Sequence, residues 1–173
     1  MRGERGYTLV EMLTVLVIFS TVMSALLVLF VQGTNAELDM NNRFQAQQAA
    51  RLALDKIRRE AHCASAVSVS SPSSVTLDMP SYCPTGNGSV TWCTVSLGLS
   101  RYGLFRKTGA ACDATGVRWA DHLTRANVFS YAAQSPTSLA KLGVDFPINV
   151  KPSRTVEAYE LKDDIVLRNS VRQ

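Results

Sequence analysis

The stretch Met12–Val31, MLTVLVIFSTVMSALLVLFV, decides the architecture of this 173-residue chain, because it contains no charge, proline or glycine over 20 residues. At about 1.5 Å per residue, a helix of this length crosses the roughly 30 Å hydrocarbon layer of a membrane. A cleaved secretory signal is the alternative, but its apolar region is about 7–15 residues long and ends at a small-residue cleavage site. Residues 32–36, QGTNA, show no clear site of that kind. We therefore predict a helix that stays in the membrane.

The apolar run also distorts the composition of the whole chain. Hydrophobic residues make up 46% of the sequence, but they are concentrated between Tyr7 and Val31. The remainder is still apolar enough to build a core, and a charged fraction of 18% argues against a disordered polyelectrolyte. The formal net charge of +4 is mild and does not by itself require nucleic acid as a partner. The chain therefore fits one domain of ordinary size with a membrane anchor.

Glu11 is the exception within the apolar segment, and it lies four residues after Tyr7. A carboxylate inside a membrane costs about 2.5–3.5 kcal/mol on insertion scales, so it commonly marks a functional contact with a positive partner. Alternatively, Glu11 lies at the membrane edge and extends toward the interface, which the nearby Arg2 and Arg5 would favour. This residue taken alone leaves both interpretations open.

The N-terminal context distinguishes between them. Residues 1–15 read MRGERGYTLVEMLTV, which is a short charged leader, Gly6, the aromatic Tyr7 and then Glu11 before the apolar helix. This pattern closely resembles the N-terminus of type IV pilins and of the pseudopilins of type II secretion systems. The resemblance implies that a prepilin peptidase cleaves after Gly6 and N-methylates Tyr7, where the family usually has Phe. It also implies that Glu11, the fifth residue of the mature chain, neutralises the N-terminal amine of a neighbouring subunit in an apolar fibre core.

The charges on either side of the apolar run predict its topology. Arg2 and Arg5 precede the run, whereas the first 11 residues after it carry only Glu37 and Asp39. The positive-inside rule therefore places the leader in the cytoplasm and everything after Val31 outside. We divide the chain into a leader peptide (1–6), a transmembrane helix (7–31), an amphipathic continuation of that helix (32–62) and a β-rich extracytoplasmic head (63–173).

Beyond the membrane segment, the sequence predicts that the helix continues to about Ala61 with one apolar face. Apolar or small residues recur there at steps of three and four: Met40, Phe44, Ala50, Leu54, Ile57 and Ala61, with Gln47 filling the gap. The other face is predicted to carry Asp39, Asn42, Arg43, Gln45, Asp55, Lys56, Arg59 and Glu60. Gly33 and the Asn41-Asn42 pair are positions where the helix can bend or fray. The segment Gln48–Glu60 also resembles the end of the first helix in larger minor pilins and J-type minor pseudopilins.

After Cys63 the sequence changes to short β-prone runs separated by turn residues. This change predicts an α+β fold, in which an antiparallel sheet packs on the amphipathic half of the helix. Strands are expected at 66–70, 74–79, 90–97, 102–106, 116–123 (a strand or a turn of helix), 128–131, 144–150, 155–161 and 164–168. Because Pro147 lacks an N–H, we expect strand 144–150 at a sheet edge.

The four cysteines, Cys63, Cys83, Cys93 and Cys112, all follow the membrane segment, on the side where disulfides form. A first hairpin that turns at 71–73 places Cys63 next to Cys83. This register predicts the pair Cys63–Cys83 and, by elimination, Cys93–Cys112; one or more free buried thiols are the alternative. No C-x-x-C motif occurs and the chain has 2 histidines, so we expect no zinc site and no other metal site.

The sequence has no pattern typical of an enzyme, so we predict no catalytic residue and no cofactor. His62 at the helix end and His122 in a turn after Asp121 have no motif around them, and phosphate-loop, H-E-x-x-H and G-x-S-x-G patterns do not occur. Residues 101–107, RYGLFRK, interleave basic and aromatic side chains as single-stranded nucleic-acid surfaces do. We favour a solvated strand edge whose Tyr102 and Phe105 face the core, and nucleic acid remains the alternative partner of this segment.

The sequence thus predicts a minor pilin or pseudopilin, a structural subunit of a type IV pilus or of a type II secretion pseudopilus. The expected partners are prepilin peptidase, other pilin or pseudopilin subunits, and the lipid bilayer before assembly. The expected location is the cytoplasmic (inner) membrane, crossed once with the head outside, and then the assembled fibre. Two alternatives stay open: an anchored receptor that never polymerises, and a DNA- or surface-binding subunit at a pilus tip.

Overall fold

The computed structural model describes residues 7–84, 87–151 and 158–167, which form one helix followed by eight strands. The leader, residues 1–6, lies outside the described residues, as do 85–86, 152–157 and 168–173. Helix α1 spans Leu9–Cys63. The strands are β1 Ala66–Ser71, β2 Ser74–Met79, β3 Gly88–Gly98, β4 Arg101–Thr108, β5 Val117–Leu123, β6 Phe129–Ala132, β7 Lys141–Ile148 and β8 Tyr159–Val166.

The chain separates into two compact units, with the boundary between Asn41 and Asn42. The first unit contains the N-terminal part of α1, whose side chains are exposed from Leu9 to Leu38. The second unit contains the C-terminal part of α1 and all of the described strands. Gly33 and the Asn41-Asn42 pair, where the sequence allowed a bend or fray, are helical.

In the second unit, the helix packs against the sheet largely through small side chains. The buried residues of α1 recur at steps of three and four and are Ala46, Ala50, Ala53, Leu54, Ile57, Glu60 and Ala61. Alanines allow the strands to approach the helix closely, while Leu54 and Ile57 enter the same core as Trp92 and Leu104. A helix packed on an antiparallel sheet confirms the predicted α+β class.

The predicted faces of the helix were wrong at both ends. Met40 and Phe44 are exposed, although they were assigned to the apolar face, and Glu60 is buried, although it was assigned to the polar face. The reason is that the strands cover the helix only from Ala46 onward, and steps of four and three from Ala46 lead to Glu60 and not back to Phe44. Hydrophobicity alone does not show where the covering sheet begins.

The strands form one antiparallel sheet in the order β1-β2-β3-β4-β5-β7-β6, with β8 paired to β7. The sheet curls, so that the turn between β1 and β2 meets the start of β6. There the N–H groups of Val128 and Phe129 donate to the carbonyl oxygen of Pro72 at 2.9 and 2.8 Å. The curl encloses the core between the concave face of the sheet and α1.

Two expectations about strands were wrong, and one open alternative was decided. Residues 116–123, expected as a strand or a turn of helix, contain the strand β5 at Val117–Leu123. A single strand, β8, stands where two strands, 155–161 and 164–168, were expected; residues 155–157 and 168 of that expectation lie outside the described residues. The segment Arg101–Lys107 lies in β4, which is paired on both sides with β3 and β5, so it is not a sheet edge.

Pro147 does not mark an edge either, because β7 pairs with β8 along its whole length and with β6 and β5 on its other side. On that other side, the N–H of Asp145 donates to the carbonyl oxygen of Val128, and the N–H of Asn149 donates to that of His122, both at 2.9 Å. Pro147 lies between these two bonds, at the gap between the end of β5 and the start of β6. Its missing N–H therefore interrupts no ladder hydrogen bond.

Candidate functional site

The start of α1 is fixed by a local capping interaction. Thr8 precedes the helix, and its Oγ1 accepts a hydrogen bond from the N–H of Glu11 at 3.3 Å, while its carbonyl oxygen accepts the N–H of Met12 at 3.2 Å. The order Thr-x-x-Glu is the sequence pattern of a capping box. It also places the Glu11 carboxylate in the first turn, where the helix dipole favours negative charge. Glu11 thus has a local role in addition to any role in assembly.

The side chains of Tyr7 and Glu11 are both exposed. Among the described residues, the Glu11 carboxylate makes no hydrogen bond and no ion pair. Gly6, the predicted residue before the cleavage site, lies outside the described residues, so of the three predicted processing and assembly residues only Tyr7 and Glu11 are placed. A carboxylate next to an apolar surface is available to a positive group from another chain, which would remove the cost of leaving it unpaired.

The N-terminal unit presents an apolar surface with no cover of its own. In the part of the chain that the structure describes, α1 is the helix long and apolar enough to cross a membrane, as judged by length and composition. Its few hydroxyl groups are satisfied within the helix, since Thr14, Ser20, Thr21 and Ser24 each donate to a backbone carbonyl three or four residues earlier, at 2.8–2.9 Å. These bonds lower the cost of placing hydroxyls in an apolar surrounding. This surface suits lipid or other apolar helices equally well.

Glu60 is the buried polar residue that holds α1 to the sheet. Its side chain is 0% exposed. Its Oε2 accepts a hydrogen bond from Trp92 Nε1 at 2.8 Å, and its Oε1 accepts Arg106 Nε at 3.0 Å and lies 2.9 Å from the second guanidinium nitrogen. Lys56 Nζ lies 3.4 Å from Oε1. Trp92 lies on β3 and Arg106 on β4, so their bonds to Glu60 fix the position of the helix along the sheet.

A second row of contacts joins α1 to β8. Arg51 donates to the Tyr159 hydroxyl at 3.3 Å and lies over its ring, 5.9 Å from the centroid. Arg58 donates to Asp163 through two nitrogens, at 3.1 and 2.8 Å, and also to Asp55 at 3.1 Å. These groups are partly solvated, so each pair contributes less than the Glu60 cluster. Together they orient the last strand along the helix.

Both predicted disulfides are present. Cys63 is bonded to Cys83 and Cys93 to Cys112, each pair with a Cα–Cα distance of 5.9 Å. The first bond attaches the last residue of α1 to the segment after β2, and the second attaches β3 to the segment between β4 and β5. The register of the first hairpin, with Ala66 opposite Asp78, brings Cys63 toward Cys83 in the way the sequence predicted.

The basic and aromatic segment of β4 is engaged within the head. Arg106 pairs with Glu60, Arg101 lies 2.6 Å from Asp121, and Lys107 lies 2.9 Å from Asp113. Hydrogen bonds from Thr115 and Lys107 lower the pKa of Asp113 to about 2. Phe105 is buried and Tyr102 partly buried. A nucleic-acid phosphate would therefore compete with a carboxylate at each of the three cations.

The two histidines lie in different elements, His62 in α1 and His122 in β5. His62 is in the last turn of α1, where a basic residue suits the dipole. His122 lies in β5 and not in an ordinary turn; its backbone φ is 63°, and burial and the nearby Arg101 lower its pKa. Within residues 7–84, 87–151 and 158–167, no three His, Cys, Asp or Glu side chains are grouped so that they could hold a metal ion.

Sequence reasoning missed the role of Glu60. In the sequence, Arg58, Arg59 and Glu60 look like one run of solvated charges. Only the pairing of β3 with β4 brings Trp92 and Arg106 side by side, where both reach Glu60. The available signal was periodicity, because Glu60 continues the stripe of Ala46, Ala50 and Ala53 at helical spacing.

The comparisons with known proteins bear on the N-terminal segment alone. Residues 1–27 match the family model described as the prokaryotic N-terminal methylation motif. This range includes the predicted cleavage site, the predicted methylated residue, Glu11 and most of the apolar run. No curated protein and no solved structure matches the chain.

Proposed function

We propose that this chain is a pilin-like structural subunit, on the premise that a protein with this N-terminal methylation motif belongs to the type IV pilin and pseudopilin family. The observation that carries the proposal is the match of residues 1–27 to that motif, at the start of an exposed apolar helix. Prepilin peptidase cleaves after Gly6 and N-methylates Tyr7. The helix then holds the subunit in the cytoplasmic membrane, with the head outside, until it joins a pilus or pseudopilus.

Glu11 registers the subunit against its neighbour during assembly. Cleavage after Gly6 creates a positive amine at Tyr7, and an amine and a carboxylate that are buried separately in an apolar fibre would each be unpaired. Pairing the Glu11 carboxylate with the amine of the adjacent subunit removes both costs at once. The exposure of Glu11 and the absence of a partner among the described residues support this role.

The head has a supporting role as a surface that faces neighbouring subunits. We place the protein among the minor subunits because Gln48–Glu60 resembles the corresponding helix of larger minor pilins and J-type pseudopilins. Two disulfides and the buried Glu60 cluster make the head a rigid unit, which suits repeated contacts along a fibre.

N-terminal mass spectrometry of the protein extracted from membranes tests the proposal. We expect the chain to begin at N-methyl-Tyr7. A Gly6→Leu variant should keep its leader, whereas Gly3→Leu, which changes another glycine of the same leader, should be cleaved normally. Detection of an intact Met1 or of cleavage after Val31 in the wild-type protein would rule the proposal out. A processed protein that never appears in the sheared fibre fraction would indicate an anchored receptor instead.

A further inference from the structure

The turn between β3 and β4 presents a leucine to solvent at the end of the sheet. Leu99 and Ser100 connect Gly98 to Arg101, and we call these two residues the Leu99 knob. The Leu99 side chain is 98% exposed, more than any other large apolar residue among those described. A fully exposed leucine at a turn contributes nothing to the core of the head, so its identity is not explained by folding.

The backbone conformation of the Leu99 knob is also unfavourable for residues other than glycine. Leu99 and Ser100 have φ values of 47° and 57°, a left-handed conformation that disfavours residues with a Cβ. Two-residue hairpin turns of this type favour Asn-Gly or Gly-Gly. Apart from His122, the other described residues with positive φ are glycines, namely Gly88, Gly98 and Gly109. Leucine at position 99 is therefore unfavourable both in its exposure and in its backbone.

Ion pairs hold the charged side chains next to the Leu99 knob in place. Arg101, the residue after the knob, donates two hydrogen bonds to the Asp121 carboxylate, at 2.9 and 2.6 Å. Arg118 lies 3.3 Å from the same carboxylate. His122 beside them is the remaining non-glycine residue with positive φ in the described chain. All three such residues thus lie at one corner of the head, and strain of this kind concentrates at functional sites.

We propose that the Leu99 knob is a docking element, and that it inserts into an apolar pocket with an acidic rim on the head of a different subunit that adjoins this one in the fibre. This inference rests on the proposed function. A single convex side chain on a rigid turn fits a preformed pocket better than a flat surface, because little conformational freedom is lost on binding. The contact removes the exposed leucine from water, which offsets the cost of its strained backbone.

The charged residues next to the Leu99 knob indicate what surrounds the pocket on the partner subunit. Arg101 and Arg118 have side chains that are 42% and 56% exposed, and they share the single carboxylate of Asp121. One positive charge is therefore in excess beside the knob. A carboxylate on the partner surface would complement it, and this charge match would fix the direction in which the knob enters.

Three variants distinguish the effect of the Leu99 side chain on assembly from the effect of the strained backbone. Leu99→Gly removes the side chain and relaxes the backbone, Ser100→Gly relaxes the backbone but keeps Leu99, and Leu99→Met keeps an apolar side chain. We expect Leu99→Gly to be processed normally, to have a Tm equal to or above that of the wild-type chain, and to enter sheared fibres about tenfold less, because burial of a leucine is lost. Ser100→Gly and Leu99→Met should enter fibres as the wild-type protein does.

A photo-crosslinking amino acid at position 99 identifies the occupant in assembled fibres, with the exposed Val117 as the matched control position. A product that joins position 99, and not position 117, to a different fibre subunit supports the proposal. A product with lipid or with a second copy of this chain overturns it. The proposal is also overturned if Leu99→Gly enters fibres at the wild-type level, or if Ser100→Gly enters fibres as poorly as Leu99→Gly is expected to. Absence of the wild-type protein from fibres would contradict the proposed function, and this inference with it.

Discussion

Two glutamates of the same helix illustrate how environment decides the role of a residue. Glu11 is exposed at the first turn of α1, and its carboxylate pairs with no described residue. Glu60 is buried in the last two turns and accepts hydrogen bonds from Trp92 and Arg106. The Glu11 carboxylate is available for a contact between chains, whereas the Glu60 carboxylate is already engaged by contacts within the chain. Their side chains are chemically identical, so the difference lies in the surrounding structure.

Replacing Glu60 should destabilise the head strongly. In Glu60→Ala, the Trp92 N–H and the Arg106 guanidinium stay buried without their acceptor, and we expect a loss of about 3–5 kcal/mol in the free energy of unfolding. Glu60→Gln keeps an acceptor for Trp92 and should lose less. Urea unfolding of the full chain in detergent, followed by tryptophan fluorescence, measures both. Glu37→Ala, at an exposed glutamate of the same helix, should change stability by no more than about 0.5 kcal/mol.

His122 should make the head less stable in mild acid. Its pKa is lowered by burial and by Arg101 and Arg118, and Asp121 opposes this shift. The unfolded chain therefore binds a proton more readily than the folded head, so stability is present above the unfolded pKa of about 6.5 and is lost as the pH falls through the folded value. Comparison of the Tm at about pH 7.5 and about pH 5.5 measures this loss.

The variant His122→Asn should reduce that pH dependence, because asparagine does not titrate and tolerates a left-handed backbone. His62→Asn, at the end of α1, is the matched control and should keep most of the pH dependence of the Tm. Asp121 titrates in a lower range, since hydrogen bonds from Arg101 and the His122 N–H outweigh burial and lower its pKa below 3.8. An equal Tm difference in the wild type and His122→Asn would show that His122 is not the titrating group.

At the scale of elements, the main question is what keeps the C-terminal half of α1 on the sheet. The buried alanines allow close packing but carry little apolar area each, so specific bonds have to supply the rest. Glu60 joins the helix to β3 and β4, Arg58 joins it to β8, and the Cys63–Cys83 bond fastens its last residue. Each attachment lies on a different part of the sheet, which fixes the helix in both position and rotation.

Removal of the Cys63–Cys83 bond should loosen the end of the helix. The bond closes a separation of 20 residues, and loss of such a crosslink costs about 3 kcal/mol through the entropy of the unfolded chain. In the double variant Cys63→Ser with Cys83→Ser, we expect a lower Tm and faster proteolysis near Ala64.

The Cys93–Cys112 bond provides the control, because its separation is nearly the same, 19 residues, but it lies within the strand region. Its double serine variant should lose similar stability while the junction at Ala64 stays resistant to protease. Equal cleavage at Ala64 in both variants would mean that Cys63–Cys83 has no special effect on the helix end.

At the scale of the whole molecule, the two compact units have opposite surfaces. Most apolar residues of the head are buried, whereas the N-terminal unit exposes its own from Leu9 to Val31. An isolated chain in water cannot keep such an apolar surface exposed, so lipid or other subunits have to cover it. Under the proposed function, the same helix would be the membrane anchor before assembly and part of the fibre core afterwards.

Glu11→Val should separate processing from assembly. The substitution leaves Gly6, Tyr7 and the apolar run unchanged, so we expect normal cleavage and N-methylation. It removes the carboxylate that would neutralise the amine of a neighbour, so the amount of protein in sheared fibres should fall about tenfold or more. Glu37→Val, which removes another exposed carboxylate of α1, is the control for the change in charge. Fibres that contain Glu11→Val at the wild-type level would exclude the pairing role.

The sequence by itself determined the features that depend on neighbours along the chain. The apolar run and the short strands with their turns are local patterns, and they predicted α1, the α+β class with its antiparallel sheet and the Cys63–Cys83 pair. The tertiary structure alone decided what depends on distant partners: the burial of Glu60, the interior position of β4, the place of Pro147 and the strained corner around Leu99. The physical reason is that periodicity specifies which side chains share a face, whereas burial depends on where another element begins to cover that face.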